Sequence, residues 1–87
     1  MGFFKILLKR SVEKDLRKID SSRVSRVVEA IRALAENPFP SGCKRLRGAK
    51  NFYRIRVGDY RIIYWVDVKE KIIIVYYVRH RRTAYRR

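Results

Sequence analysis

The spacing of apolar residues changes along the chain, and each change marks an element. Residues 3–8 are almost continuously apolar, and they predict a first strand that Lys9 and Arg10 close. Val12, Leu16 and Ile19 then fall at i, i+4 and i+7, the spacing of a short amphipathic helix, with Ser11 as its expected N-cap and Glu13 in its first turn. Asp20, Ser21 and Ser22 interrupt and recap the chain. Val24, Val27, Val28, Ile31 and Leu34 make the apolar stripe of a second, longer helix, with Arg23, Arg26, Glu29 and Arg32 on its other side. Asn37 before Pro38 is its expected end.

Residues 38–50 have loop composition, with both prolines, Gly42 and Gly48, although Lys44, Arg45 and Arg47 set three cations around Leu46. Three strands follow, at 52–57, 60–68 and 71–78. The run Ile72-Ile-Ile-Val-Tyr-Tyr-Val78 predicts a central strand buried on both faces. No internal repeat or low-complexity segment interrupts this order. The expectation is one α+β domain over 1–87: a helical hairpin packed on a four-stranded, mostly antiparallel sheet, in the order β-α-α-β-β-β, ending in a short basic C-terminal tail.

The hairpin at 52–64 makes a sharper prediction. If Gly58 and Asp59 form a two-residue turn of type II′, Val57 faces Tyr60, Arg56 faces Arg61, Ile55 faces Ile62 and Tyr53 faces Tyr64. One face of the sheet becomes an apolar core and the other carries Arg54, Arg56 and Arg61, with Trp65 on the same side. Like charges directly opposite one another destabilise a strand pair by up to about 1 kcal/mol, so this arrangement suits a bound anion. The arginines also fit a solvated face whose stems cover apolar neighbours. Trp65 fits packing as well as base stacking, and Lys44, Arg45 and Arg47 fit a plain basic loop.

Charge adds weight to the anion. The chain has 23 Lys+Arg against 8 Asp+Glu, a formal net charge of +15 over 87 residues, which exceeds what solubility requires. The cations are interleaved with six Tyr, four Phe and one Trp, a composition suited to neutralising phosphates and stacking on bases. Nucleic acid is thus the expected polyanion, ahead of a membrane surface. No apolar run approaches the roughly 20 residues of a spanning helix, and residues 3–8 are too short and too basic in their flanks for a secretory signal core, so the expected location is cytoplasmic. Cys43 is the one cysteine and His80 the one histidine, which leaves neither a disulfide nor a Cys/His metal set; no cofactor is expected.

Catalysis by paired carboxylates is not expected, because Glu13, Asp15 and Glu29 read as helix surface groups and Asp59, Asp67 and Glu70 lie at turns. No Gly-rich phosphate loop or Ser/His/Asp constellation is present. A cationic site suits RNA cleavage by attack of a 2′-hydroxyl on the adjacent phosphate, where fixed arginine donors stabilise the charge on the phosphorane. Arginine is a poor general base, so Tyr85, His80, a substrate hydroxyl or water is left to move the proton. Tyr85 also suits fastening the tail to the sheet, and His80 a surface or capping position.

The order and spacing of Asn37-Pro-Phe39, Arg45-Leu-Arg-Gly48, Tyr53-Arg-Ile-Arg56, Gly58-Asp-Tyr-Arg-Ile-Ile-Tyr64 and Val78-Arg-His-Arg-Arg82 with Tyr85 resemble the RelE/ParE superfamily of type II toxins. The RelE branch is the more similar. This resemblance implies two helices on a mixed, largely antiparallel sheet, a cognate RelB-like, acidic antitoxin wrapped around the toxin, and action on mRNA in the ribosomal A site. It also implies roles: Arg54 and Arg56 hold RNA, Arg61 stabilises a phosphate, Arg81 stabilises the transition state or leaving group, and Tyr85 stacks on or activates the substrate. Lys44, Arg45, Arg47, Arg79, His80 and Arg82 complete the expected RNA-binding set. The chain departs from the branch in carrying arginines at 54 and 56, where the best-known RelE protein has lysines, and in lacking a carboxylate near Lys44, where YoeB toxins place a base. The ParE branch, which acts on DNA gyrase, shares the fold and is the alternative, together with a non-catalytic RNA-binding module.

Overall fold

The computed structural model describes residues 3–80. Its elements are β1 (Lys5–Leu8), α1 (Arg10–Arg17), α2 (Ser21–Ala33), β2 (Lys44–Arg45), β3 (Phe52–Val57), β4 (Tyr60–Asp67) and β5 (Ile72–His80). The strands form one sheet in the order β1-β5-β4-β3-β2. β1 runs parallel to β5, and the other pairings are antiparallel.

Alternation in the strands sends one set of side chains under the helices. Ile55, Ile62, Tyr64, Val66, Ile73, Val75 and Val78 pack against Val12, Ile19, Val27, Ile31 and Leu34 in a single buried cluster. Each large aliphatic side chain buried there contributes about 1.5–3 kcal/mol. Tyr64 is fully buried, and its hydroxyl donates to the Pro38 carbonyl oxygen at 2.7 Å, which ties the loop after α2 to the middle of the sheet. Burial, reinforced by contact with Cys43, pushes the Tyr64 phenol far above its ordinary value, so it stays neutral.

The hairpin forms in the expected register. Val57 pairs with Tyr60, Arg56 with Arg61, Ile55 with Ile62 and Tyr53 with Tyr64. Gly58 takes φ of +59°, the left-handed conformation that the first position of a type II′ turn requires.

Four expectations are corrected. The sheet has five strands rather than four, because Lys44 and Arg45 pair with Arg54 and Tyr53 as the short strand β2. Two residues carry no periodicity from which such a strand could be read. β5 is interior but is not buried equally on both faces: Ile73, Val75 and Val78 are buried beneath the helices, while Ile74, Tyr76 and Tyr77 remain half-exposed. Ser11 does not cap α1; Lys9 stands at the N-cap and Ser11 Oγ donates instead to the Tyr76 carbonyl at 2.6 Å. α2 ends at Ala33, before Asn37, whose Oδ1 accepts from the Phe39 N–H at 3.1 Å in a local turn.

Candidate functional site

The face of the sheet turned away from the helices carries the expected cations in rows. Arg56 on β3 pairs with Arg61 on β4, and Arg61 pairs with Arg79 on β5. With neighbouring strands about 4.8 Å apart, three arginines line up within about 10 Å. One step along the strands lies a second row, Lys44, Arg54, Ile63 and Tyr77, in which Lys44 and Arg54 are again directly opposed. Three like-charge pairs thus occupy adjacent positions on one surface, each unfavourable to the sheet by itself.

Aromatic side chains border the rows. Phe52 pairs with Trp65 in the next register position, and the Phe52 and Tyr76 rings meet edge-on at 4.9 Å. Lys9 Nζ stands 4.9 Å from the Tyr76 ring centre, and the Arg79 guanidinium lies over Tyr77 at 4.3 Å. Such cation–ring contacts hold an ammonium or guanidinium in place without neutralising it. Arg54 and Arg61 are half-buried, whereas Arg56 and Arg79 are exposed.

Three carboxylates near the sheet, Asp15, Asp59 and Asp67, have partners other than the arginine rows. Asp15 Oδ2 accepts from the Val78 N–H at 2.9 Å, Asp67 Oδ1 accepts from the Glu70 N–H at 3.0 Å, and Asp59 lies 3.7 Å from Arg23. Asp15 is therefore not an ordinary helix-surface group. Among the described residues no three His, Cys, Asp or Glu side chains are grouped to hold a metal ion, and no helix is long and apolar enough to cross a membrane.

Other expected site residues lie elsewhere. Arg45 pairs with Tyr53 and His80 with Tyr60, both in register with helix-facing positions, so neither joins the arginine rows. His80 meets Tyr60 edge-on at 5.4 Å. Arg47 sits in the turn beyond β2. Arg81, Arg82 and Tyr85 are outside the described residues. The reading of the sequence did not anticipate that Lys44 opposes Arg54, or that Tyr76 and Tyr77 border the cations. The first requires β2. The second requires an irregularity in β5, where the pairing with β4 steps from Ile63–Tyr77 to Tyr64–Val75 and leaves Tyr76 as an extra residue.

The profile of the ParE toxin of the type II toxin-antitoxin system parDE matches residues 6–85. The protein designated RelE1 of Methanocaldococcus jannaschii is 34% identical over 86 residues, spanning 95% of this chain and 96% of that protein. Toxin RelE3 of the same organism is 32% identical over 85 residues, spanning 93% and 94%. The archaeal RelE–RelB complex of Pyrococcus horikoshii contains a chain that superposes with a TM-score of 0.81 at 28% identity, covering 91% of this chain and 96% of that one. The profile match over nearly the whole length, the RelE relatives and the shared fold lead to one conclusion: the chain belongs to the ParE toxin family of type II toxin-antitoxin systems, within the RelE/ParE superfamily.

Proposed function

We propose that this toxin is a ribosome-dependent endoribonuclease that cuts mRNA in the A site, and that the arginine face is its catalytic and RNA-holding surface. The single observation that carries this reading is the row Arg56–Arg61–Arg79, reinforced by the opposed Lys44 and Arg54. A sheet tolerates several like-charge pairs on one face when a polyanion neutralises them, and an RNA backbone supplies regularly spaced phosphates.

In the proposed reaction the 2′-hydroxyl attacks the adjacent phosphorus. The bond to the 5′-oxygen breaks and a 2′,3′-cyclic phosphate is left. Arg61, at the centre of the row, and Arg56 beside it donate to the non-bridging oxygens as negative charge accumulates. Arg54 and Lys44 hold the neighbouring backbone as fixed cations, Trp65 and Tyr77 offer ring faces to unstacked bases, and Arg81 and Tyr85 act on the leaving group and the proton. Arg79, Arg82, Arg45 and Arg47 add to the field that draws RNA in, and His80 offers its ring as a further RNA contact. A RelB-like antitoxin, as in the RelE–RelB complex of the similar Pyrococcus protein, is the proposed partner; an acidic one complements this face and covers it in the inactive state, and the toxin works in the cytoplasm, where ribosomes are.

Primer extension on an mRNA under translation in a purified system tests the reading, with wild type compared against Arg61→Gln and Arg81→Ala. Cuts at A-site codons that require ribosomes and fall about 10²-fold or more in rate with Arg61→Gln are the expected result. Intact mRNA together with inhibition of gyrase supercoiling would replace it with the second reading, which the match to the ParE family favours.

A further inference from the structure

The third arginine of the row depends on an irregularity in β5. Between Ile72 and Val75 the odd-numbered residues Ile73 and Val75 face the helices; after Tyr76 the parity reverses, and Val78 faces the core while Arg79 joins Arg61. A strand without that extra residue would do the opposite, sending Val78 outward and Arg79 inward, because side chains alternate with a period of two.

The irregularity falls where β5 loses its outer neighbour. β1 pairs with it only from Lys5–Ile72 to Leu8–Val75, so among the described residues no strand lies beside the edge of β5 from Tyr76 onward. Two side chains of α1 occupy that edge. Ser11 Oγ donates to the Tyr76 carbonyl at 2.6 Å, and Asp15 Oδ2 accepts from the Val78 N–H at 2.9 Å. They stand four residues apart, one turn along the same side of the helix, and they hold the residues on either side of Tyr77. The carboxylate bond is charge-assisted and half-buried, the stronger of the two kinds of contact.

We infer that Ser11 and Asp15 are positioning residues for the arginine face: by clamping the free edge of β5 they fix the bulged register that puts Arg79 in line with Arg61 and Arg56. Neither side chain lies on the RNA-facing surface. Their effect passes through the backbone of β5, and the part that concerns RNA rests on the proposed function.

The experiment pairs backbone NMR with binding of a short single-stranded RNA, followed by fluorescence of Trp65, the one tryptophan of the chain. Wild type, Ser11→Ala, Asp15→Asn, Asp15→Ala, Arg79→Gln and the Asp15→Ala/Arg79→Gln double variant are compared. In Asp15→Ala the Val78 amide is expected to lose protection from exchange and the Arg61–Arg79 cross-strand contact to weaken. The salt slope of RNA binding should fall by about 0.7, the value for one phosphate contact on a single strand, as it does in Arg79→Gln. The double variant should lose no more than either single one, and Asp15→Asn, which keeps an acceptor oxygen but not the charge, should keep the Arg61–Arg79 contact with only part of the loss in Val78 protection seen in Asp15→Ala. Ser11→Ala, a milder change, should give the same NMR signature in smaller measure. Retention of the Arg61–Arg79 contact and of Val78 protection in Asp15→Ala would overturn the inference, and so would additive losses in the double variant. If wild type bound no RNA while Asp15→Ala still lost the register, the proposed function would fail and the clamp would stand.

Discussion

The opposed arginines should repel measurably, and a double-variant cycle isolates that repulsion from everything else each side chain does. Arg56 and Arg61 occupy directly paired positions, and Arg61 pairs in turn with Arg79. Two unit charges about 5 Å apart interact by about 0.8 kcal/mol in water, and a Debye length of about 10 Å at 0.1 M salt reduces this to about 0.5 kcal/mol. Arg56 and Arg79, one strand further apart at about 10 Å, should couple by about a third as much. At 1 M salt, where the screening length is about 3 Å, the adjacent pair should retain only about 0.15 kcal/mol. Urea unfolding of Arg56→Gln, Arg61→Gln and the double variant reads the term directly. The stability gains of the two single variants should together exceed that of the double by about 0.5 kcal/mol at 0.1 M salt, and the excess should fall to about 0.15 kcal/mol at 1 M. A coupling of opposite sign, or one indifferent to salt, would show that these guanidinium groups do not confront each other, and the argument for an anion on this face would go with it.

Other consequences can be checked with simpler measurements. Tyr64→Phe leaves the Pro38 carbonyl buried without its donor and should cost about 1–3 kcal/mol in urea unfolding. The same phenol is held neutral in the fold, while in the unfolded chain it ionises near the ordinary value of 10.0. Its contribution is therefore complete below that pH and is lost above it, by about 1.4 kcal/mol per pH unit, a decline that Tyr64→Phe should abolish. Gly58→Ala meets no neighbouring atom but keeps φ of +59°, so about 1 kcal/mol of destabilisation should come from the backbone alone, with Asn tolerated better. Leu34→Ala opens a cavity under the sheet and should lower stability by about 2–5 kcal/mol without altering the salt dependence of RNA binding.

Much of this protein follows from local rules that a sequence states openly. The two helical stripes, the two-residue turn at Gly58 and Asp59, and the register that sets Arg56 against Arg61 were all legible, because a period of 3.6 or 2 and a glycine in a tight turn are short-range facts. The cationic face was legible for the same reason: once the hairpin register is fixed, alternation assigns every side chain to one face or the other. The resemblance carried by the motifs agreed with that assignment and pointed to the family now shown.

What the sequence could not state depends on distant partners. Lys44 and Arg45 become a strand only because the edge of β3 is there to pair with, so the opposition of Lys44 and Arg54 was invisible. Asp15 looks like any surface carboxylate until Val78, 63 residues away, presents its N–H. The apolar run of β5 suggested burial on both faces because it contains no sign of the extra residue at Tyr76. That residue reverses the alternation, carries Arg79 to the arginine face and turns His80 away from it. The sequence by itself determined which segments are helix and strand and that one face of the hairpin is cationic. The tertiary structure decided which cations from separate strands stand in line, because that depends on the register between strands and on the side chains that hold a free edge in place.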